Sequence, residues 1–444
     1  MFSSKCLPFA TAVLLAAASV PAAAQTTGSS RPFRGALFGA NRVDNSNQRL
    51  DISVLLVEAY DDDVFGTTGG SQVNPGTRQI GGYFSMLQPT LQYRWKGRRA
   101  EFGVTEGSAL GYYPQLGEVR SISHTGGAGV SIQLAPQTKV FVNGTAAYAP
   151  SYLFGLFPGT ADPAPGEAIA AAPNYAVNDV ESYAYGTTAV LSQGLSRRTT
   201  LSVGGDFSYT DFVHNTEVQR DLDSRGVNTE LSYRGTRNTA TRIRYHYLTG
   251  NLGYATGSTT VENGLDIGLS YSRPLSATRR ALVSFSVGSS ALATDGAPAS
   301  VEVPRRLYRA TAEAMLGYQF AVWEARGSYR RGLEFVPGLV QPVFTDGVTA
   351  DLTGLVTRRL DLGLSAGYSQ GASALTRNTM NFDTTRASVR VQFALARSAA
   401  VHAEYLYYFY NFHGDVGLPP GASPRLQRNG VRVGLRLLIP ALRG

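Results

Sequence analysis

Few residues of this 444-residue chain have the types and spacing that catalysis requires. The sequence has five histidines, His124, His214, His246, His402 and His413. Two of them have a carboxylate close by in the sequence, as Asp211 with His214 and as His413 with Asp415. Such pairs can act as general bases, but neither has a third partner at a defined spacing. No phosphate-binding loop or zinc motif is present. The sequence therefore predicts no catalytic residue, no metal site and no cofactor, and we expect no enzyme activity.

Arginine is the residue type that recurs where it could act on a solute. Several stretches alternate arginine with apolar residues, so that the arginines share one face. If that face lines a water-filled passage, the arginines would favour anions. The selectivity candidates are Arg242, Arg244, Arg326, Arg330, Arg386, Arg390, Arg432, Arg436 and Glu404, with Arg309 and His402 close by in the pattern. The alternative is that these are ordinary wall charges, paired across strands with Glu404, Glu313 and Glu324.

The arginines lie in stretches with a period of two, which is typical of β-strands. In the clearest stretch, Ala387, Val389 and Val391 alternate with Arg386 and Arg390. Eighteen such stretches follow one another between residues 50 and 440. Those near 50–59, 100–112 and 122–134 are weak, so sixteen is the alternative strand count.

The connections between these strands alternate strictly between short and long. Short turns fall near 96–99, 135–138, 193–199, 234–239, 273–280, 320–322, 357–359 and 396–399. Long loops fall near 60–80, 113–122, 150–181, 211–222, 250–260, 289–305, 335–346, 370–381 and 411–427. A soluble sandwich has no reason to place every long loop at one end, whereas an outer-membrane barrel has short periplasmic turns and long external loops. The sequence predicts an all-β fold, a transmembrane antiparallel up-and-down β-barrel.

The short turns repeat a motif in which an apolar residue precedes arginines. It occurs as Leu195-Ser-Arg-Arg-Thr, as Trp95-Lys-Gly-Arg-Arg, as Leu275-Ser-Ala-Thr-Arg-Arg and as Val356-Thr-Arg-Arg. On the barrel interpretation these are periplasmic hairpin turns, and we expect their arginines to lie at the membrane boundary, close to lipid phosphates.

The N-terminal residues predict a secretory signal peptide over residues 1–24. Lys5 provides a basic start, residues 7–20 are mostly apolar, and Ala22-Ala-Ala24 fits a cleavage site. We predict a periplasmic lead-in over 25–48, an outer-membrane barrel over 49–440 and a C-terminal tail over 441–444. The one cysteine, Cys6, is removed with the signal peptide. The net charge of +8 comes mostly from scattered arginine, and an exported chain does not ordinarily meet nucleic acid, so we expect no nucleic-acid partner.

The chain resembles the Gram-negative outer-membrane β-barrel porins. The resemblance covers about residues 49–440 and depends on hairpin units such as Leu191-Ser-Gln-Gly-Leu-Ser-Arg-Arg-Thr-Thr-Leu201. The last strand ends in Ile439-Pro440 and lacks the terminal aromatic residue common in such proteins. The resemblance implies a pore or an export-associated channel in the cell outer membrane.

In large porins of this kind, the loop that follows the fifth strand folds inward and narrows the channel. The corresponding loop here, 150–181, offers Phe154, Phe157, Asp162 and Glu167 as candidate constriction residues. The alternative is an external loop rich in alanine and proline. A second acidic loop begins at Asp61-Asp62-Asp63, which could bind a divalent ion or could simply be solvated.

The sequence favours a porin-like channel for diffusion of small polar solutes, with anions as one candidate class. The first alternative is the outer-membrane barrel of an exopolysaccharide export or secretion system, and the second is a barrel-rim enzyme or an adhesin. The expected partners are outer-membrane lipid and lipopolysaccharide, the barrel-assembly machinery and small-molecule solutes. A homo-oligomer is left open.

Overall fold

The structure is a computed structural model. It describes residues 47–62, 81–114, 119–149, 181–213, 221–252, 258–276, 278–295, 306–335, 342–375, 380–414 and 425–443. The predicted signal peptide, most of the lead-in and the candidate constriction residues Phe154, Phe157, Asp162 and Glu167 lie outside these ranges. Within them, no helix has both the length and the apolar character needed to cross a membrane.

The described residues form eighteen strands. They are β1 (Gln48–Asp61), β2 (Gly82–Lys96), β3 (Ala100–Tyr113), β4 (Val119–Ala135), β5 (Thr138–Ala149), β6 (Ser182–Gly194), β7 (Thr199–Phe212), β8 (Leu222–Arg234), β9 (Thr239–Leu252), β10 (Ser258–Ser276), β11 (Arg279–Asp295), β12 (Leu307–Gln319), β13 (Trp323–Glu334), β14 (Val343–Leu355), β15 (Leu360–Ser373), β16 (Met380–Ala394), β17 (Ala399–Gly414) and β18 (Arg425–Arg443).

The strands form one closed antiparallel sheet in which each pairs with its neighbours along the chain. β1 and β18 pair with each other along their length, for example Leu56 with Leu435, and this pairing closes the barrel. The predicted all-β barrel of eighteen strands is therefore confirmed. β18 continues to Arg443, which pairs with Arg49, so the last strand extends three residues past the boundary predicted at 440.

The connections have two lengths, and each length is confined to one end of the barrel. At one end, here called the turn end, two to four residues join successive strands, as between β6 and β7. At the other, the loop end, the connections range from five residues, as between β3 and β4, to 32 residues between β5 and β6. β1 begins and β18 finishes at the turn end. The predicted alternation of short and long connections is confirmed.

Apolar side chains cover the outside of the barrel. Ile267, Val287 and Leu316 are 58%, 60% and 61% exposed, which a soluble protein would rarely tolerate over a whole sheet face. The residues between them along each strand point into the barrel and are mostly polar, such as Asp266 and Ser286. The period-two pattern thus places the apolar face outward, which suits a barrel surrounded by lipid.

One part of the inner face is apolar instead. Leu55, Val57 and Ala59 of β1 have the same orientation as Asp51 and Ser53, and they pack into a buried cluster. Its other members include Phe84 and Met86 of β2, Tyr113 of β3 and Leu406 of β17. The rings of Phe84 and Tyr113 stack with centroids 5.0 Å apart. This cluster fixes the inner wall next to the junction of the first and last strands.

Four of the eight short turns share one hydrogen-bond arrangement. Ser196 Oγ accepts from the backbone N–H of Arg198 at 3.1 Å and of Thr199 at 3.0 Å. In three other turns a hydroxyl accepts from the backbone N–H two residues on: Thr236 from Asn238, Ser276 from Thr278 and Thr357 from Arg359. A hydroxyl that bonds the backbone two residues on stabilises a tight turn. The repeated serine or threonine therefore has a structural role, and the following residues point into solvent.

Side chains near the loop end join the first strand to the last. Arg428 Nε lies 2.7 and 2.8 Å from the two carboxylate oxygens of Asp61. Asn429 donates to Asp62 from its backbone N–H and from its side-chain amide, both at 2.6 Å. Asp61 and Asp62 are thus engaged by β18, so they would have to leave these partners to bind a cation, while Asp63 lies outside the described residues.

Candidate functional site

The inner face carries two groups of charged residues on different parts of the barrel wall. The first, the arginine wall, consists of Arg386 and Arg390 of β16 and Arg428, Arg432 and Arg436 of β18. The second, the acidic wall, consists of Glu230, Glu262, Asp266 and Glu313 around Arg242, Arg244 and His246, on strands β8 to β12. Both groups arise because charged residues occupy alternate, inward positions of neighbouring strands.

The arginine wall is organised by β17, which lies between its two arginine-bearing strands. The register places Glu404 of β17 opposite Arg390 on one side and Arg432 on the other. Arg432 forms an ion pair with Glu404, and His402 Nε2 lies 3.5 Å from the same carboxylate. The sequence placed Glu404 and His402 between arginine rows, and the structure has this arrangement.

Two arginines of this wall have an Nε without a hydrogen-bond partner among the described residues. They are Arg390 and Arg436, and both Nε atoms are buried. Arg436 pairs in register with Leu55 of β1 and Ala400 of β17, neither of which offers a side-chain acceptor. These buried Nε atoms are closed to a solute, but each guanidinium carries a positive charge and further N–H donors, which suit a carboxylate or phosphate. This wall therefore offers positions for an anion.

In the acidic wall the arginines are paired with carboxylates. Arg244 lies 3.3 Å from Asp266 and 3.5 Å from Glu313, and Arg242 lies 3.5 Å from Glu313. His246 contacts Asp266 at 3.2 Å, and Thr311 donates to Asp266 at 2.9 Å. Arg242 and Arg244 are therefore ordinary wall charges that pair with carboxylates of other strands, which is the alternative that the sequence left open.

The remaining selectivity candidates belong to neither wall. Arg326 and Arg330 of β13 face the interior, and each lies near a glutamate of its own strand, Glu324 at 3.2 Å and Glu334 at 3.8 Å. Their side chains are 39% and 52% exposed, which makes them accessible to a passing solute. Arg309 instead donates to the carbonyl of Ala374 at 3.5 Å, close to the loop end.

Glycines allow inward side chains to lie flat along the wall. A Cβ at Gly264 would overlap the imidazole of His246, and a Cβ at Gly268 would lie 2.7 Å from Nε of Arg242. In the same way, Arg390 lies over Gly363, whose Cβ would be 3.3 Å from the guanidinium. The side chains occupy the space that a neighbouring Cβ would fill, so they extend less far into the barrel.

The two walls lie far apart around the ring. β10, in the middle of the acidic wall, and β17, in the middle of the arginine wall, are seven strands apart in a ring of eighteen. Opposite sides of such a ring are nine strands apart, so the walls nearly face each other. Charges of opposite sign on facing walls produce a field across the interior.

One polar cluster on the outer face is absent from the sequence prediction. Ser108 Oγ lies 2.8 Å from Nδ1 of His124 and 2.8 Å from Glu106, and all three side chains point outward from β3 and β4. A hydrolytic triad requires the histidine between the serine and the carboxylate. Here the serine is in the middle, so the cluster does not have the order of a triad.

The structure does not bring together the two histidine pairs considered from the sequence. His413 contacts Asn411 and Asp383, while His214 and Asp415 lie outside the described residues.

No protein-family model matches this sequence, and no match was found among curated proteins. Similar solved structures include three Pseudomonas aeruginosa proteins, among them the outer membrane protein OprD. OpdQ is 10% identical, with a TM-score of 0.41 over 89% of this chain and 98% of that one. OccK2 in complex with glucuronate is 7% identical, with a TM-score of 0.40 and coverage of 89% and 98%. OprD is 11% identical, with a TM-score of 0.38 and coverage of 89% and 94%. The assignment of the fold depends on the strand pairings of this chain.

Proposed function

We propose that the protein is an outer-membrane channel that admits small polar solutes and prefers anions. The observation that carries the proposal is the arginine wall, where Arg386, Arg390, Arg432 and Arg436 face the interior and one carboxylate, Glu404 of β17, lies between them. A barrel of about 16–18 strands leaves an aqueous channel.

The outward apolar face supports placement in a membrane. Backbone groups within lipid must pair internally, and the closed sheet meets this requirement for its own strands. The short connections at the turn end and the long ones at the loop end have the asymmetry of bacterial outer-membrane barrels. On this proposal the turn end faces the periplasm and the loop end faces the exterior.

The charge distribution supports anions over cations. The arginine wall contains five arginines and one carboxylate, Glu404, on strands β16 to β18, and Asp61 of β1 engages one of the five. A solute carboxylate could pass from Arg390 and Arg386 of β16 to the arginines of β18, which lie across β17. The facing acidic wall would repel the same solute toward the arginines.

The proposal is tested by reversal potentials of the purified protein in planar bilayers under a KCl gradient. We expect the native channel to prefer chloride over potassium. The double variant R390Q/R436Q should reduce that preference, because it removes two cations from the wall. R331Q is the matched control, since Arg331 points outward and pairs with Asp346 at 3.0 Å. A clear cation preference of the native channel would contradict the proposal.

The same recordings bear on the alternative of a barrel that serves an export system. Such a barrel would need its partner and would show little conductance alone. Among the residues that the structure describes, the alternative of a rim enzyme has only the Ser108 cluster in its favour, and the order of that cluster does not suit acyl transfer.

A further inference from the structure

The turn end of the barrel carries a dense set of exposed cations that the channel function does not use. Arginine pairs occupy three turns, as Arg98 and Arg99, Arg197 and Arg198, and Arg358 and Arg359, and all six side chains are exposed. The connections between strands at this end contain no aspartate or glutamate. The cations therefore have no acidic partner within the turns themselves.

Further turns repeat the pattern with single arginines. Arg237, Arg279 and Arg397 are exposed at or next to three more turns. Six of the eight turns thus carry arginine at or next to them, and they are spread around the ring, interrupted at the turn after β4 and at the turn after β12. We call this set of turn-end arginines the basic collar.

An exposed apolar side chain accompanies the arginines in these turns. Leu195, Leu275, Val356 and Leu395 are 57%, 48%, 50% and 53% exposed, and each precedes arginine by two to four residues. An apolar residue followed closely by a cation is typical of chains at a membrane surface, where one part enters the acyl region and the other reaches the headgroups. A water-soluble partner would not require the apolar residues.

The backbone of the turns holds the two kinds of side chain in a fixed relation. The backbone N–H of Leu195 donates to Thr199 at 2.9 Å, that of Val356 to Leu360 at 2.9 Å, and that of Leu395 to Ala399 at 3.0 Å. In each case the arginines lie inside the loop closed by this bond. Three different hairpins therefore present the same apolar and cationic groups.

We propose that the basic collar binds the anionic headgroups of phospholipids in the leaflet at the turn end of the barrel. Phosphatidylglycerol has the required chemistry, a phosphate without a compensating amine. The collar would anchor the turns at the membrane surface and gather anionic lipid around the barrel. This inference depends on the membrane placement proposed above and not on the selectivity of the channel.

The test uses the full-length protein in a non-ionic detergent, with bound lipid counted by native mass spectrometry. We would titrate the protein with phosphatidylglycerol and with phosphatidylcholine of the same acyl chains. The native protein should retain phosphatidylglycerol in preference. The variant R197Q/R198Q/R358Q/R359Q should weaken this preference by about tenfold or more, because each cation near a charged surface contributes about fivefold.

The matched control is R225Q/R331Q/R425Q, which removes outward arginines near the loop end and should leave the preference unchanged. Folding of both variants is checked by heat-modifiable migration on SDS gels. Equal retention of the two lipids by the native protein, or an unchanged preference in the collar variant, would refute the proposal.

Two competitors identify the source of the phosphate. Soluble glycerol phosphate should not displace the bound lipid, and displacement would show a site for free phosphate instead. Lipid A should compete only weakly at the collar, and tight binding of lipid A that the collar variant abolishes would place these turns in the other leaflet. The conductance of the collar variant should equal that of the native channel, so the channel proposal can fail independently of this one.

Discussion

Arg428 and Asp61 join the two ends of the barrel sheet through residues that are 367 positions apart. Their side chains are 1% and 3% exposed, and Nε of the arginine contacts both carboxylate oxygens. The remaining strand junctions join neighbours along the chain. This ion pair therefore belongs to the one junction that local sequence cannot bring together.

Removal of one member of the Arg428–Asp61 ion pair should lower the stability of the barrel. Arg428→Met would leave the Asp61 carboxylate buried without its arginine, and we expect a loss of about 3–5 kcal/mol of unfolding free energy. Urea unfolding from lipid vesicles measures it. Arg225→Met is the control, because that arginine is 67% exposed beside Asp223 and should contribute about 0–1 kcal/mol. Equal effects of the two substitutions would show that the buried pair has no special role.

Gly434 controls how closely the first and last strands approach. A Cβ at this position would overlap the backbone oxygen of Leu56, which no side-chain rotation can move. Gly434→Ala should therefore destabilise the barrel by about 1–3 kcal/mol. Gly332→Ala is the control, since nothing lies within 4 Å of its Cβ position. The melting temperature of the heat-modifiable band on SDS gels compares them, and an unaltered Gly434→Ala band would contradict the expected strain.

Arg330 should contribute to anion preference. Its side chain is 52% exposed to the interior, and its glutamate partner lies 3.8 Å away. Arg330→Gln should reduce the chloride-to-potassium permeability ratio by up to about fivefold, since a nearby charge in water contributes about 1 kcal/mol. Arg331→Gln changes the next residue on the opposite face and should leave the ratio as it was. If both variants behave alike, the inward face does not set the selectivity.

Glu106 places a carboxylate on the outer face between apolar neighbours of the same strand. Val104 and Leu110 flank the positions of Glu106 and Ser108. A charge on the lipid face is destabilising, so Glu106→Gln should raise the unfolding free energy in bilayers by about 1 kcal/mol. Glu101→Gln, on the inner face beside Arg94, should give no gain. Destabilisation by Glu106→Gln would indicate instead that the hydrogen bond from Ser108 outweighs the cost of the charge in lipid.

The strand number and the alternation of turns and loops could be predicted because both follow from local order along the chain. Residues 386–393 show the strand period without ambiguity, whereas the alternating pattern of the third and fourth strands is weak. The structure explains this weakness, because Glu106, Ser108 and His124 are polar residues on the outward face. Their mutual contact depends on the register between β3 and β4, which the period does not define.

The candidate site was only partly predictable. Alternation alone assigned Arg390, Arg432 and Glu404 to one face, and neighbouring strands brought them together. Sequence could not show that Arg242 and Arg244 meet Glu313, because that contact crosses intervening strands. Nor could it show that Arg428 meets Asp61, since their strands are at opposite ends of the sequence.

The glycines under the inward side chains make the width of the passage sensitive to very small changes. The imidazole of His246 occupies the Cβ position of Gly264. A single methyl group there would move a whole ring away from the wall and toward the path of the solute. Exchanges between glycine and alanine at such positions could therefore tune the cross-section of the channel in small steps, without altering any charge.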